Sequence, residues 1–150
     1  MTKDLLLKID NVSSGYGSTI IVNDFSFDVE KGQILAITGS NGMGKTTLMK
    51  TIMGLINVRK GSIFFKNEDI TNSSPDYRSK SGIGYVPQGR EIFSALTVEQ
   101  NIMLPIYTRK KPSFNVLEKL EEIYSLFPIL KEKRSANGSS LSGCLLYTSP

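Results

Sequence analysis

A glycine-rich segment at residues 39–46 constrains the fold of this chain more than any other part of its sequence. It reads Gly-Ser-Asn-Gly-Met-Gly-Lys-Thr and satisfies the pattern of Gly, any four residues, and then Gly-Lys-Ser or Gly-Lys-Thr. Glycines let backbone N–H groups converge on phosphate oxygens, lysine adds a positive charge, and a threonine hydroxyl can bind Mg²⁺. The pattern therefore predicts a phosphate loop that binds a nucleoside triphosphate.

The flanks of this loop fit the strand, loop and helix order that a phosphate loop requires. Residues 32–38 predict a buried strand that enters the loop, and residues 45–53 predict a helix that leaves it. An ordinary glycine-rich turn is the alternative, and this context argues against it. The candidate nucleotide-binding residues of the loop are Gly39, Ser40, Asn41, Gly42, Met43, Gly44, Lys45, Thr46 and Thr47. Thr46 is the candidate Mg²⁺ ligand.

Composition limits the other functions that this chain could have. Its 150 residues, 39% of them hydrophobic, suffice for one domain or part of one. The net charge of +4 is spread along the chain. We therefore interpret the basic run at residues 109–111 as a solvated loop and expect no nucleic-acid partner. A single cysteine, Cys144, excludes an intramolecular disulfide, and the absence of histidine removes the commonest zinc ligand and catalytic base.

The sequence also bears on the relation of the chain to membranes. Its apolar stretches are too short to span a bilayer, and its first residues predict the start of a strand instead of a signal peptide. We therefore expect a cytoplasmic domain.

The rest of the chain predicts a β layer ahead of the phosphate loop and helices towards the C-terminus. Alternating apolar residues and turn signals predict strands at residues 5–12, 19–29, 61–65 and 82–86. Helix start signals and helical spacing predict helices that begin at Ser74-Pro75 and at the capping box 97–100, and a helical region at 117–127. This order is typical of an α/β protein.

With the phosphate loop, three further motifs resemble the nucleotide-binding domain of ATP-binding cassette (ABC) transporters over residues 1–143. Tyr16 lies 29 positions before Lys45, Tyr85-Val86-Pro87-Gln88-Gly89-Arg90 follows a predicted strand, and Leu141-Ser142-Gly143 comes near the end. Phosphate-loop kinases and GTPases lack this combination. The resemblance implies an α/β P-loop NTPase fold with an N-terminal antiparallel β-subdomain, a RecA-like core and the start of a helical subdomain.

The resemblance also implies how the base of ATP is bound. In that family an aromatic residue ahead of the phosphate loop stacks on adenine, a role that falls to Tyr16 here, with Val22 lining the same face. A tyrosine that simply packs in its hairpin is the alternative.

Catalytic and metal-binding roles follow from the same resemblance. Lys45 and Gln88 are the candidate catalytic residues, and Gln88 joins Thr46 near Mg²⁺; an ordinary strand-end glutamine is the alternative for Gln88. Ser142 and Gly143 begin the signature motif, which binds the γ-phosphate held by a second ATP-binding subunit in a head-to-tail dimer.

A narrower resemblance concerns the transported solute. Residues 89–93, 96–101 and 126–130 resemble importers of branched-chain amino acids and their urea relatives. This implies transmembrane permease subunits as partners, contacted near Gln88 and Phe93, an indirect partnership with a solute-binding protein, and a peripheral position on the inner face of the cell membrane. A urea or amide importer ATPase and a non-transport ABC ATPase are the alternatives.

The resemblance ends at Cys144, where a second glycine and a glutamine-rich helix start would be expected. Residues 144–150 resemble instead a translated transposon-end adapter from sequencing libraries, and we interpret them as a non-native tail. A frameshifted or truncated gene product is the alternative. We therefore expect a truncated domain that folds poorly alone and does not hydrolyse ATP, because the family places its water-activating glutamate further along.

Overall fold

The computed structural model describes residues 4–89, 92–107 and 114–140. It divides into two compact units, Met1–Val86 and Pro87–Pro150. Three features of the sequence lie outside the described residues: the basic run at 109–111, the motif Leu141-Ser142-Gly143 and the tail at 144–150. Along the described part, no helix combines the length and apolar character needed to cross a lipid bilayer.

An antiparallel sheet forms the base of the first unit. Its strands are β1 (Leu5–Tyr16), β2 (Thr19–Glu30), β3 (Val58–Phe65) and β4 (Glu68–Asp69). They lie in the order β2-β1-β3-β4, and every neighbouring pair is antiparallel. The predicted N-terminal β layer is therefore confirmed, although β3 begins at Val58 instead of residue 61.

Two helices belong to this unit, α1 (Lys45–Ile52) and α2 (Pro75–Ser81). The Ser74 hydroxyl accepts a hydrogen bond from the Tyr77 N–H at 3.2 Å, and Pro75 occupies the first helical position, as the sequence predicts. Helix α1 buries Leu48 and Ile52 against the sheet. The core formed in this way consists of Ile9, Val12, Val22, Leu48, Ile52, Ile63, Phe65 and Ile70.

Two predicted strands, residues 32–38 and 82–86, are wrong for this structure. Neither segment joins the hydrogen-bonded sheet of the described residues, and Ile34 and Val86 are 96% and 92% exposed. A strand needs a neighbour to pair with its backbone, and an apolar run by itself does not supply one. The apolar character of both segments is real, but their pairing partners are not in the described sheet.

The described part of the second unit contains the helices α3 (Val98–Tyr107), α4 (Val116–Leu126) and α5 (Pro128–Glu132), followed by a 3-10 turn at Gly138–Ser140. The capping box is confirmed, since Thr97 Oγ1 accepts from the Gln100 N–H at 3.1 Å and Gln100 Oε1 accepts from the Thr97 N–H at 2.8 Å. The region predicted as helical is interrupted at Phe127, because proline disfavours a helical backbone at the residue before it.

Candidate nucleotide-binding site

The phosphate loop reaches α1 through Gly44, whose backbone lies in the left-handed region at φ 87°. A Cβ atom at this position would lie 3.1 Å from Ile21 Cγ2 and 3.3 Å from the Ile21 carbonyl oxygen. Glycine therefore serves two needs, since it adopts this φ without strain and lets the loop lie directly against β2. No side chain caps the N-terminus of α1, so the N–H groups of its first turn remain available to an anion.

Lys45 lies at the first position of α1 and its side chain folds back over the loop. Its Nζ donates hydrogen bonds to the carbonyl oxygens of Gly39 at 2.7 Å and Ser40 at 2.8 Å. The ammonium group is thus held at the rim of the loop. This arrangement places a positive charge beside the free helix N-terminus, where a phosphate group is favoured by both charge and dipole.

The two threonines after Lys45 differ in their access to solvent. Thr46 is exposed, whereas Thr47 is buried against the sheet. A hydroxyl that binds Mg²⁺ must reach the ligand side, and Thr46 meets this condition. In the described part of the chain, no three His, Cys, Asp or Glu side chains come together as metal ligands. The exposed Thr46 hydroxyl and the uncapped N-terminus of α1 are donors of the kind that fit a triphosphate with Mg²⁺.

A cavity of about 370 Å³ lies between β2 and the phosphate loop. Val22 and Phe25 contribute to its wall from β2, and Gly39 and Lys45 from the loop. Tyr16 is half exposed at the end of β1 and does not belong to this wall. The structure thus brings Val22 to the phosphate loop but leaves Tyr16 outside the cavity.

The turn beside Tyr16 is held by Arg59 of β3. The Arg59 guanidinium donates hydrogen bonds to the carbonyl oxygens of Gly17 and Ser18, which form the hairpin turn between β1 and β2. Tyr16 therefore lies next to a turn that these hydrogen bonds fix. Half of the surface of Tyr16 is exposed to solvent, as stacking on a base would require.

A buried pair of hydroxyl groups joins β1 to the phosphate-loop helix. Ser14 Oγ and Thr51 Oγ1 are 2.7 Å apart, and Thr51 Oγ1 donates to the Thr47 carbonyl oxygen at 2.8 Å. Because the Thr51 hydroxyl donates its only proton to that carbonyl, Ser14 is the donor in the hydrogen bond between the two hydroxyl groups. The sequence reasoning missed both residues; two threonines four positions apart on the buried side of α1 were the available signal.

Arg78 of α2 is a third residue that the sequence reasoning missed. It is 1% exposed, and burial lowers the pKa of its guanidinium. Its hydrogen bonds reach the last turn of α1. A charged residue fully inside a small unit is uncommon, but the sequence alone does not distinguish it from a surface arginine.

The remaining candidate residues belong to the second unit. Gln88 is exposed, close to the start of that unit, and Phe93 is 58% exposed. The Asn101 side chain holds the backbone of Phe93 from both sides, since its Oδ1 accepts from the Phe93 N–H at 2.9 Å and its Nδ2 donates to the Phe93 carbonyl at 3.0 Å. Ser142 and Gly143 lie outside the described residues.

Comparison with curated proteins finds relatives over most of the chain. It is 36% identical over 138 residues to the probable branched-chain amino acid transport ATP-binding protein LivF of Archaeoglobus fulgidus. It is 34% identical over 138 residues to the high-affinity branched-chain amino acid transport ATP-binding protein BraG of Pseudomonas aeruginosa. Both alignments cover 92% of this chain and 58% of the relative. The chain therefore spans little more than half the length of these relatives.

A third relative is named for a different cargo. The lipopolysaccharide export system ATP-binding protein LptB of Haemophilus influenzae is 35% identical over 139 residues, which cover 92% of this chain and 57% of the relative. Relatives named for branched-chain amino acid transport and for lipopolysaccharide export thus match at similar identity.

Comparison with solved structures supports the fold. The structure of an ATP-binding subunit of an ABC transporter superposes with a TM-score of 0.80 at 26% identity, covering 91% of this chain and 56% of that one. The predicted α/β cassette fold is thereby confirmed. The family described as ABC transporter matches residues 22–144, which include the phosphate loop, Gln88 and the segment Leu141-Ser142-Gly143. The chain belongs to the ABC transporter family and represents part of its ATP-binding domain.

Proposed function

We propose that this chain is the N-terminal part of the ATP-binding subunit of an ABC importer and that residues 39–46 bind MgATP. The observation that carries this proposal is the phosphate loop itself. Its helix begins without a side-chain cap, and Lys45 is held over it by two loop carbonyls. Both features leave donors for phosphate oxygens.

The roles of the side chains follow from this placement. Lys45 exchanges its hydrogen bonds to Gly39 and Ser40 for phosphate oxygens and neutralises part of their charge. The exposed Thr46 hydroxyl and the Gln88 side chain would hold Mg²⁺, which would supply positive charge to neutralise the phosphate groups. Tyr16 stacks on the adenine, and Val22 supports the same side of the site.

Titration with a fluorescent ATP analogue tests the binding site. Lys45→Ala removes charge-assisted hydrogen bonds worth about 2 kcal/mol, so we expect roughly thirtyfold weaker binding. Tyr16→Phe keeps the stacking face and should bind nearly as the parent chain does. Lys50→Ala, which removes a lysine from the same helix, is the matched control. Equal affinities of Lys45→Ala and the parent would refute the assignment.

We propose branched-chain amino acids or a related small solute as the cargo of the transporter. The names of the LivF and BraG relatives support this choice, as does the resemblance of residues 89–101 to importers of branched-chain amino acids. Urea or amides are the alternative within the same group, a non-transport ABC ATPase is a second alternative, and the name of the LptB relative indicates a different cargo. Uptake of labelled leucine and of urea, in cells that lack their own importer ATPase and carry the full-length gene, separates these cases.

The proposed partners are transmembrane permease subunits, a second ATP-binding subunit and, indirectly, a solute-binding protein, with the subunit bound peripherally at the inner face of the membrane. In this arrangement Ser142 and Gly143 bind the γ-phosphate held by the partner subunit. Co-purification of the full-length protein with the permeases encoded beside its gene tests the assembly. Recovery of a full-length subunit without permeases from detergent extracts would argue against it.

We also propose that hydrolysis requires groups beyond these 150 residues. A positioned base or water-orienting group is needed for the attacking water, and the alignments cover only 58% of the length of the relatives. Phosphate release by the 150-residue chain should stay at background, whereas the full-length protein should show activity that is lost with Lys45→Ala. Activity of the short chain that disappears with Lys45→Ala would refute this proposal.

A further inference from the structure

The buried guanidinium of Arg78 forms hydrogen bonds with two chain segments, the end of α1 and residues 71–73. Its Nη1 donates to the carbonyl oxygens of Thr51 at 2.9 Å and Ile52 at 2.7 Å, at the C-terminal end of α1. Its Nε donates to the Ser73 carbonyl at 3.1 Å, and its Nη2 to the Thr71 carbonyl at 2.8 Å. All four acceptors are backbone oxygens, so Arg78 fixes backbone positions and does not serve as an ion-pair partner in these contacts.

The end of α1 suits a buried cation. The carbonyl groups of the last helical turn lack partners within the helix and carry the negative end of the helix dipole. Arg78 satisfies the Thr51 and Ile52 carbonyls and brings a positive charge to the same place. This offsets part of the cost of burying a guanidinium away from water.

Gly54 provides the space for this contact. Its backbone has φ 79°, and a Cβ atom there would lie 2.9 Å from Arg78 Nε and 3.1 Å from Arg78 Cζ. The turn after α1 is thus shaped around the guanidinium. A polar cavity of about 260 Å³, lined in part by Gly54, Thr71 and Ser73, opens beside Arg78.

The other end of α1 carries the phosphate loop. The helix covers Lys45–Ile52 and is about 12 Å long, so a displacement at its C-terminal end is transmitted to Lys45 and Thr46 as a tilt. Thr51 is held from two directions, since Ser14 of β1 binds its hydroxyl and Arg78 binds its carbonyl. Loss of Arg78 would leave this end of α1 held by the Ser14 contact and by the Gly54 N–H, which donates to the Thr51 carbonyl at 3.0 Å.

We propose that Arg78 is a positioning residue for the nucleotide site: it fixes the C-terminal end of the helix whose N-terminal end binds phosphate. This inference rests on the proposed binding of ATP at residues 39–46. Arg78 acts through α1 and does not touch the nucleotide.

The test measures affinity for a fluorescent ATP analogue in the full-length protein, at a temperature at which circular dichroism shows that the protein is folded. Arg78→Ala breaks a buried network and should weaken binding on the order of tenfold. Lys80→Ala, which removes an exposed lysine of the same helix, is the matched control and should bind as the parent does. Millimolar guanidinium should restore affinity in Arg78→Ala through the adjacent cavity, whereas urea, which has a similar shape without charge, should not.

Each outcome separates the two proposals. If the parent chain and Lys45→Ala bind alike, the proposed function fails. If Lys45 matters but folded Arg78→Ala binds like the parent, or binds weakly without rescue by guanidinium, the positioning role of Arg78 is overturned. If Arg78→Ala instead unfolds the protein, two rescues apply: added guanidinium and the variant Arg78→Lys. Recovery of both the circular dichroism signal and ATP binding by either rescue supports the role of Arg78. If neither rescue restores binding, the role is refuted.

Discussion

At the scale of single residues, the phosphate loop combines positions that need glycine for different reasons. Gly42 and Gly44 both have a positive φ, at 83° and 87°. A Cβ atom at Gly42 would have open space within 4 Å, whereas one at Gly44 would press against Ile21 of β2. Comparison of the two positions therefore separates backbone strain from packing.

We expect Gly42→Ala to destabilise the chain by about 1 kcal/mol, since alanine must adopt a left-handed backbone. Gly44→Ala should cost about 2 kcal/mol, because the contact with Ile21 adds to the same strain. Urea unfolding monitored by circular dichroism measures both values. Equal losses would show that the loop does not lie against β2.

Residues 39–46 could be predicted from the sequence because the pattern is local and each residue type has a direct chemical purpose. Ser14, Thr51 and Arg78 could not. Ser14 lies 37 residues from its partner Thr51, and Arg78 lies 27 residues from the carbonyl of the same threonine. Pairings over such separations depend on the sheet register and helix placement, which a single sequence does not determine.

At the scale of helices and strands, the sequence predicts where a helix begins when a capping residue marks the position. It does not predict which strands pair in a sheet. Ser74 and Thr97 cap α2 and α3 as their sequences indicate. Residues 32–38 have the apolar pattern of a buried strand, yet pairing depends on a neighbour that the pattern does not reveal. The helices of the second unit are joined instead by side chains, and Tyr124 of α4 donates to Glu99 Oε2 of α3 at 2.9 Å.

The Tyr124 contact predicts a pH dependence. Burial, with the hydrogen bond to Glu99, raises the pKa of Tyr124 to about 12, above its ordinary value of 10.0. In the unfolded chain the phenol loses its proton first, so the stabilisation is complete below pH 10 and is lost as the pH rises towards 12. We expect the stability of the second unit to fall across this interval.

Tyr124→Phe tests this expectation, since it removes the titrating group and costs about 1 kcal/mol at neutral pH. The stability difference between parent and variant, measured by denaturant unfolding, should shrink between pH 10 and 12. Tyr16→Phe is the control, because that tyrosine lies half exposed at the end of β1 in the first unit. A constant difference between Tyr124→Phe and the parent would contradict the role of the hydrogen bond.

At the scale of the whole molecule, apolar side chains remain open on segments that flank the phosphate site in sequence. Ile34 precedes the loop and Val86 precedes Gln88, and both are almost fully exposed. The described sheet has no strand paired to either segment. Exposed apolar runs of this kind promote association in water.

We therefore expect Ile34→Gln to change the free energy of unfolding by less than about 0.5 kcal/mol, so that the melting temperature stays nearly the same. The same substitution should reduce aggregation of the chain. Ile9→Gln is the matched control, because Ile9 is buried in the core and its replacement should unfold the first unit. Thermal melts and light scattering on both variants measure these effects. A loss of stability for Ile34→Gln as large as for Ile9→Gln would place Ile34 inside the folded core.

The pairing of β3 with β1 encloses residues 31–57, and the whole phosphate loop lies within them. The β1–β2 hairpin joins neighbours in sequence, whereas the pairing of β3 closes a longer loop at a greater cost in conformational entropy, so we expect the hairpin to form first. We therefore expect the phosphate loop to reach its final shape late in folding. A nucleotide that binds only this late state slows the rate of unfolding and leaves the rate of folding unchanged, so it protects the chain kinetically after folding without assisting the search for the fold.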